Sequence, residues 1–370
     1  MKALKVYINP GVHPQFKEII DFPPPKVRYL FQNPKGDHNS TSIRKKRTSI
    51  SFAQRFLQLP RIANIKTVGE FDLIHSTRGI LILNKAPWVI DLESGAAFAG
   101  LEWLSLKKPI MKLLINKYLS SPYCKKIMPQ SEAAKRTLLE NINCSRFEHK
   151  IETVYLAYHA TKFKRVETDK VVVSFIGRGF YEKGGNDLQQ AFKILNKMYP
   201  KKLELKMKCN VPEGKRLKLS NVKYIDTIKN RVDFYKEMFG KSNIYVQPTT
   251  VDSFGVSILE AMSTGLPIVC TDDFTLPELV EDGYNGFLVR SPVNWYPYGI
   301  KGDWMGYIRE AEKNHPETVK ALVDKVSILI EDPGLRREMG KNSYHLVEDG
   351  KFSIKIRNKK LRRIYEEAIV

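Results

Sequence analysis

Apolar segments of strand length alternate with helical segments along the chain, and this alternation is the feature that most constrains the fold. In the second half the predicted strands are uninterrupted apolar runs, which is typical of a parallel sheet covered by helices on both faces. They are 170–177, 203–209, 222–226, 243–248 and 267–272, with helices at 185–199 and 256–264. The first half repeats the pattern with strands at 3–9, 26–31, 71–76, 87–93, 126–131 and 151–157 and helices at 100–120 and 131–141. The pattern predicts an α/β protein with two parallel sheets.

The length of 370 residues suits two domains better than one. The polar stretch 159–170 lies between the two series of strands and is the predicted link. We therefore expect one Rossmann-like domain over 1–165, a second over 166–350, and a final helix over 351–370 that crosses back to the first domain.

Four widely spaced cysteines, Cys124, Cys144, Cys209 and Cys270, fit neither a disulfide framework nor a zinc knuckle. The chain has no uninterrupted apolar run near the roughly 20 residues that span a bilayer, and its first residues do not resemble a secretory signal. These features predict a cytoplasmic protein with reduced thiols.

Positive charge is concentrated in the first half. Residues 1–165 hold 28 Lys and Arg against 12 Asp and Glu, or +16, whereas residues 166–370 hold 33 against 28, or +5. This excess suits an anionic partner: a nucleic acid, an anionic membrane surface or a phosphate-bearing lipid. A solvated Lys-rich surface is the alternative, because the lysines are dispersed except at 43–47, within a predicted loop at 33–51. The segment 104–121 mixes Lys with Ile, Leu and Met around the helical wheel and is only a weak candidate for a membrane anchor.

A strand that ends at Gly177 is followed by Arg178, Lys183 and Gly184 before the next helix. This order brings two cations to the carboxyl edge of a parallel sheet, where ligands of such sheets bind. Arg and Lys together suit a diphosphate. The segment matches neither a P-loop nor a dinucleotide-binding fingerprint, so ordinary loop cations are the alternative reading.

The sequence Asp252-Ser-Phe-Gly-Val-Ser-Ile-Leu-Glu260 contains a second element that is suited to binding a phosphate. Gly255 permits a tight turn into the helix, and the first helical amides, which include Val256 and Ser257, have no intrahelical partner, so that they attract an anion. Glu260 is placed to accept from ribose hydroxyls, or else forms a capping box with Ser257. With Asp252 on the other side of the phosphate, the segment suits a nucleotide sugar.

These motifs resemble the donor-binding signature of the retaining glycosyltransferases of family 4, which have the two-domain GT-B fold. The family's E-x7-E pattern appears as Asp252-x7-Glu260, and the match extends from Gly177-Arg178 to the Pro277, Glu278 and Gly286 element. The resemblance implies two Rossmann-like domains that face each other across a cleft. It also implies that Arg178 and Lys183 bind the donor diphosphate, that the amides after Phe254 bind the distal phosphate, that Glu260 binds ribose and that Asp252 contacts the transferred sugar.

The first half matches the family less well. Asp91 and Glu93 occupy the positions of a Thr-x-His in which the His lies beside the reacting sugar, so the resemblance offers Glu93 as a catalytic or acceptor-binding carboxylate. Asp91, His75 and Gly11 are candidates for the acceptor side. A solvent-facing Glu93 is an equal alternative, and a single histidine at a strand end such as His75 is more often structural. The aromatic segment 291–310 either packs as a loop or stacks on a sugar or a lipid interface.

The sequence thus predicts a retaining hexosyltransferase that uses a UDP- or GDP-linked sugar and a hydroxyl of a glycan or lipid-linked acceptor. We expect no metal, because no Asp-x-Asp pair is present to hold a metal–diphosphate complex, and no cofactor beyond the nucleoside-diphosphate sugar that serves as donor substrate. The base is expected near 225–228. A nucleotide-sugar epimerase of the same fold and a basic nucleic-acid-binding protein remain as alternatives.

Overall fold

The computed structural model describes residues 3–9, 14–31, 59–67, 69–161, 163, 170–225 and 230–370 and divides the chain into two compact units. Unit 1 is Met1–Leu156 with Gly299–Gly302 and Lys355–Val370; unit 2 is Ala157–Tyr298 with Asp303–Ile354. The expected boundary between 165 and 166 lies outside the described residues, as do Gly11 and the predicted loop at 33–51.

Unit 1 contains a five-stranded parallel sheet in the order β2-β1-β4-β6-β7. The strands of this unit among the described residues are β1 (Leu4–Ile8), β2 (Val27–Leu30), β3 (Ile62–Ala63), β4 (Leu73–Ser76), β5 (Leu81–Ile82), β6 (Trp88–Leu92) and β7 (Cys124–Pro129), of which β3 and β5 form a separate pair. The strand expected at 151–157 is wrong. Its Glu152 and Val154 amides donate to the carbonyls of Ile127 and Pro129, but only one isolated bridge forms and the ladder does not continue.

Unit 2 contains a six-stranded parallel sheet in the order β10-β9-β8-β11-β12-β13. Its strands are β8 (Val171–Gly177), β9 (Leu203–Cys209), β10 (Val222–Tyr224), β11 (Ile244–Gln247), β12 (Ile268–Thr271) and β13 (Gly286–Val289). The chain builds outward from β8 in one direction and from β11 in the other, so that these two strands flank the topological switch point. Ligands of open parallel sheets bind at this point, beyond the carboxyl ends of the strands.

Helices cover the sheets, because parallel neighbours require crossover connections. In the described residues they are α1 (Pro14–Asp21), α2 (Pro109–Leu119), α3 (Glu132–Asn141), α4 (Gly185–Met198), α5 (Arg231–Tyr235), α6 (Val256–Ser263), α7 (Leu276–Leu279), α8 (Trp295–Lys301), α9 (Trp304–Ala311), α10 (Pro316–Glu331), α11 (Pro333–Glu348) and α12 (Ile354–Ala368), with 3-10 turns at Gly95–Ala99, Trp103–Lys107 and Glu148–Lys150 and a π-helical turn at Lys236–Gly240. The single helix expected over 100–120 is divided, because Pro109 begins a new helix and cannot continue the 3-10 turn before it. The aromatic segment 291–310 forms the two helices α8 and α9.

The final helix, α12, belongs to unit 1. Its buried side chains, including Leu361, Ile364 and Tyr365, join Leu4 and Val6 in one apolar cluster. Arg357 reinforces this packing, since its guanidinium donates to the backbone carbonyls of Glu18 and Phe22. The last residues of the chain thus complete the core of the unit that begins it.

Candidate active site

The candidate site lies at the switch point of unit 2, where loops follow β8 and β11. Gly184 adopts a φ of +73°, and a Cβ there would overlap the carbonyl oxygen of Pro248. Glycine therefore allows the turn after β8 to lie directly against the segment that follows β11. Lys183 fastens the same two segments, because its Nζ donates to the Val251 carbonyl at 2.7 Å and to Asp252 Oδ2 at 2.8 Å.

Asp252 closes the turn that leads into α6. Its Oδ1 accepts from the Gly255 amide at 2.8 Å and from the Phe254 amide at 3.3 Å. Burial raises the pKa of the Asp252 carboxyl, but the Lys183 ammonium and these two amides outweigh that effect and hold the pKa below its ordinary value. The carboxylate is therefore charged at neutral pH and is paired with the cation that the sequence assigned to a diphosphate.

The amino terminus of α6 faces the same edge of the sheet. Gly255 is its N-cap, with a φ of +86° that favours glycine. The Phe254 side chain is buried and packs edge to face on Phe352, so only its backbone is available to a ligand. Arg178 is exposed directly after β8 and forms no hydrogen bond or ion pair within the described part of the chain. The structure thus gathers the predicted phosphate-binding groups, Gly177 to Lys183 and Gly255 to Ser257, at one edge.

Glu260 is held by residues outside its own helix. Its Oε1 accepts from Arg231 Nη2 at 2.9 Å and from the Tyr158 hydroxyl at 3.1 Å. The Ser257 hydroxyl donates instead to Gln247 Oε1 at 2.6 Å. The capping-box alternative is therefore wrong, because neither side chain caps the helix and Glu260 faces a cation.

Arg231 is a site residue that the sequence reasoning missed. It begins α5, and its guanidinium lies over the rings of Tyr158 and Tyr235 at 5.8 and 5.2 Å from their centroids. Nothing local in the sequence indicates this contact, because Arg231 and Glu260 are 29 positions apart and come into contact only when unit 2 is folded. The region expected to contact the base continues from Ile225 into residues 226–228, which lie outside the described residues.

Asp273, in the loop after β12, was also missed. Its side chain is buried, and its Oδ2 has no hydrogen-bond partner in the described residues. Burial raises the pKa of this carboxyl to about 8, with further contributions from the negative charges of Asp252 and Asp272 that Lys183 only partly offsets. At neutral pH Asp273 is therefore mostly protonated, beside an Asp252 that is charged.

Two acceptor-side candidates of unit 1, His75 and Asp91, lie together but are buried. His75 Nδ1 is 2.7 Å from the Tyr365 hydroxyl, and its Nε2 is 3.3 Å from Asp91 Oδ2. His75 and Asp91 are 1% and 6% exposed, respectively. Tyr29 extends this chain through a 3.0 Å contact with Tyr365. The arrangement supports the structural reading of His75, because it ties the final helix to the sheet.

Glu93 follows β6 and is half-buried. Within the described residues, no group of three or more His, Cys, Asp or Glu side chains is arranged to hold a metal ion. None of the helices described is both long and apolar enough to cross a membrane.

Comparison with known proteins identifies the region that contains this site. Residues 159–296 match the family model described as glycosyl transferases group 1. The capsular polysaccharide biosynthesis glycosyltransferase CapM of Staphylococcus aureus is 29% identical over 55% of this chain and 48% of its own, so the match spans about half of that relative. An uncharacterised glycosyltransferase of Methanocaldococcus jannaschii is 26% identical over 76% of this chain and 68% of its own.

Solved structures show the same fold over the whole chain. Anabaena HepE, solved in complex with UDP and glucose, matches with a TM-score of 0.61 and 14% identity over 98% of this chain and 99% of its own. At this identity the likeness establishes the fold, and the expected GT-B fold is confirmed. Assignment to family 4 stays a prediction. Residues 159–296 therefore match the glycosyl transferases group 1 family, and the whole chain has the GT-B fold.

Proposed function

We propose that the protein is a retaining glycosyltransferase that moves a hexose from a UDP- or GDP-linked donor to a hydroxyl of a glycan or lipid-linked acceptor. One observation carries the proposal: Arg178, Lys183 and the amino terminus of α6 share the carboxyl edge of β8 and β11 with Asp252. Two cations and a set of unpaired amides suit a diphosphate. A carboxylate beside them suits the hydroxyls of an attached sugar.

The proposed reaction begins when the acceptor hydroxyl attacks the anomeric carbon on the face that the diphosphate leaves. The bond from this carbon to the phosphate oxygen breaks, the new glycosidic bond forms, and the departing phosphate takes the proton of the hydroxyl. Arg178, Lys183 and the α6 amides stabilise the charge that develops on the leaving group. Because the attack and the departure share one face, the configuration of the sugar is retained.

Lys183 has a second task in this mechanism. In the structure its Nζ is 2.8 Å from Asp252 Oδ2, so an arriving diphosphate competes with Asp252 for the ammonium. Transfer of Lys183 to the phosphate frees Asp252 to accept from the sugar hydroxyls. Glu260, oriented by Arg231, is proposed to accept from the ribose. Glu93 is kept as the proposed carboxylate on the acceptor side.

UDP is the first donor nucleotide to test, because the fold neighbour HepE was solved with UDP and with UDP-glucose. We further propose that transfer needs no metal ion or cofactor, that the protein is cytoplasmic and that it works at the periphery of an anionic membrane. Transfer that persists in a chelator supports the metal-free proposal, and strict dependence on a divalent ion contradicts it.

The two alternatives make different predictions. A nucleotide-sugar epimerase releases an altered nucleotide sugar without any acceptor. A nucleic-acid-binding protein binds oligonucleotides with strong salt dependence and does not respond to UDP or GDP. The group 1 glycosyltransferase domain supports neither of them.

The deciding experiment is a thermal-shift screen of UDP, GDP and ADP and their sugars, followed by mass spectrometry of sugar transfer to lipid-linked and glycan acceptors. A ligand that binds only the folded protein stabilises it, by about 2.7 kcal/mol of unfolding free energy at a hundredfold excess over Kd. This stabilisation raises the melting temperature. We expect a shift with one nucleoside diphosphate and its sugar. A protein that responds to none of them, or that converts a donor without acceptor, contradicts the proposal.

A further inference from the structure

The segment from Leu101 to Lys117 exposes several large aliphatic side chains within a short stretch of unit 1. Leu101, Leu104, Ile110 and Leu113 are 51%, 41%, 45% and 64% exposed. Isolated exposed aliphatic residues are common, but a concentration of them marks a surface that contacts something apolar. We call this segment the 101–117 surface.

Lysines accompany these aliphatic residues. Lys107, Lys108, Lys112 and Lys117 are all exposed, and Glu102 is the one acid between positions 101 and 120. The segment therefore has four positive charges against one negative charge. This balance sits within the half of the chain that carries a net charge of +16.

The fold explains why both kinds of residue point outward. In α2, Met111, Ile115 and Leu119 are buried, and their spacing of four places them on the side that packs on unit 1. Ile110 and Leu113 are three positions apart on the remaining surface, beside Lys112 and Lys117. In the preceding 3-10 turn, Trp103 and Leu106 are buried, whereas Leu104 and Lys107, three residues apart, are exposed. The lysines are spread around the helical wheel, and for that reason the segment was only a weak candidate for a membrane anchor. In the structure they are neighbours of exposed apolar residues.

We propose that the 101–117 surface docks on an anionic lipid bilayer, with its aliphatic side chains in the headgroup region and its lysines on lipid phosphates. Such monotopic contacts combine buried apolar area with attraction to anionic lipid. A second copy of the chain is a poorer occupant, because two copies of one positive surface repel each other. The inference rests on the proposed function and names the residues that mediate its membrane association. It does not require that the nucleotide or the acceptor has been assigned correctly.

The test is flotation of the full chain with vesicles of phosphatidylcholine alone or with phosphatidylglycerol. We expect binding that requires phosphatidylglycerol, falls with added salt and is reduced at least tenfold by the double substitution Leu104→Ser with Leu113→Ser. Each of Lys107→Gln, Lys108→Gln and Lys112→Gln should lower binding about fivefold on anionic vesicles. The matched control, Ile194→Ser with Met198→Ser, removes apolar side chains of comparable exposure, 43% and 52%, from α4 of unit 2 and should leave binding unchanged.

Two further measurements separate docking from other effects. The shift of the melting temperature with UDP should not change in the 101–117 variants, because the proposed nucleotide site lies in unit 2. Equal vesicle binding by these variants and the wild type overturns the proposal. It is also overturned if size-exclusion chromatography shows a dimer that Leu104→Ser with Leu113→Ser dissociates, since a second copy then covers the surface. Loss of nucleotide response with intact vesicle binding would contradict the proposed function alone.

Discussion

The carboxyl edges of the two sheets carry charged and polar side chains in the same architectural position, but they differ in access. In unit 1 the groups at this edge, His75 and Asp91, are almost fully buried and bonded to Tyr365 of the final helix. In unit 2 the side chains of Lys183 and Arg231 remain 23% and 33% exposed while they hold Asp252 and Glu260.

This difference separates a polar network that fastens a structure from one that can exchange partners. A buried hydrogen-bonded chain loses stability when one member is removed, because the others stay unsatisfied. A partly exposed ion pair gives up its cation more easily to a stronger anion. The presence of polar groups at a strand end therefore does not by itself identify a ligand site, and the exposure of Lys183 and Arg231 is what makes the edge of unit 2 the better candidate.

The largest expected effect is on catalysis by Asp252→Asn. The amide keeps an oxygen for the Gly255 and Phe254 amides but removes the negative charge that Lys183 holds. We expect sugar transfer to fall by at least about 100-fold, a typical loss for one preorganised polar group. UDP should bind as well as before or more tightly, because the competitor for Lys183 is weakened. Calorimetry and turnover assays measure both, with the exposed Asp324→Asn as control, and weaker UDP binding in Asp252→Asn would contradict the competition.

Arg178→Ala should weaken binding of the diphosphate itself. Loss of a hydrogen bond to a charged partner costs about 1.5–3 kcal/mol, which is roughly a 10- to 100-fold increase in the Kd of UDP. The exposed Arg309→Ala on α9 is the matched control and should bind UDP normally. Equal affinity in both variants would remove Arg178 from the site.

Arg231→Gln tests whether the cation positions Glu260. Without the guanidinium, Glu260 loses its 2.9 Å partner, and we expect the Kd of UDP to rise about tenfold. The Kd of 2′,3′-dideoxy-UDP should be nearly unchanged, since that ligand offers no ribose hydroxyls. A general structural defect would weaken both ligands equally, and the exposed Lys236→Gln is the control.

Tyr365→Phe tests the buried polar network at the carboxyl edge of the sheet in unit 1. It removes the hydroxyl that lies 2.7 Å from His75 Nδ1 and 3.0 Å from the Tyr29 hydroxyl. We expect a loss of about 1–3 kcal/mol of unfolding free energy from the buried groups left unsatisfied. Denaturant unfolding measures this loss, and the Kd of UDP should stay the same. If Tyr365→Phe keeps its stability but no longer transfers sugar to the acceptor, His75 belongs to the acceptor site and its structural role is contradicted.

The last prediction concerns the pH dependence of stability and Asp273. Its folded pKa of about 8 exceeds the ordinary 3.8, so between these values the folded protein keeps a proton that the unfolded chain has released. The contribution of Asp273 to unfolding free energy therefore falls as pH rises from about 4 to 8. Asp273→Asn abolishes this titration, so its melting temperature relative to that of the wild type should be higher at pH 8 than at pH 5. The groups around it, Asp252, Asp272 and Lys183, are unchanged, and an unaltered pH profile would contradict the assignment.

The sequence predicted most of the strands because a buried parallel strand is a continuous apolar run that stands out from its surroundings. It also predicted the turns that carry the proposed phosphate-binding groups, since Gly184 and Gly255 mark local backbone requirements. It could not predict contacts that the fold alone creates. His75 and Tyr365 are 290 positions apart, and Arg231 meets Glu260 across 29.

The sequence was also ambiguous where the same residues allowed two structural interpretations. Ser257 and Glu260 have the spacing of a capping box, and only the positions of Gln247 and Arg231 reject that reading. The strand expected at 151–157 failed for a similar reason, because its composition suits a strand but its ladder with β7 stops after the first contacts.

The return of α12 to unit 1 also sets an order for folding during synthesis. Domains tend to fold as they emerge from the ribosome, in chain order. Unit 2, made of Ala157–Tyr298 and Asp303–Ile354, can assemble its sheet as soon as those residues are available. Unit 1 must instead wait with Leu4, Val6 and their neighbours uncovered until Leu361, Ile364 and Tyr365 are made. The unit that is synthesised first is therefore expected to be the last to become stable.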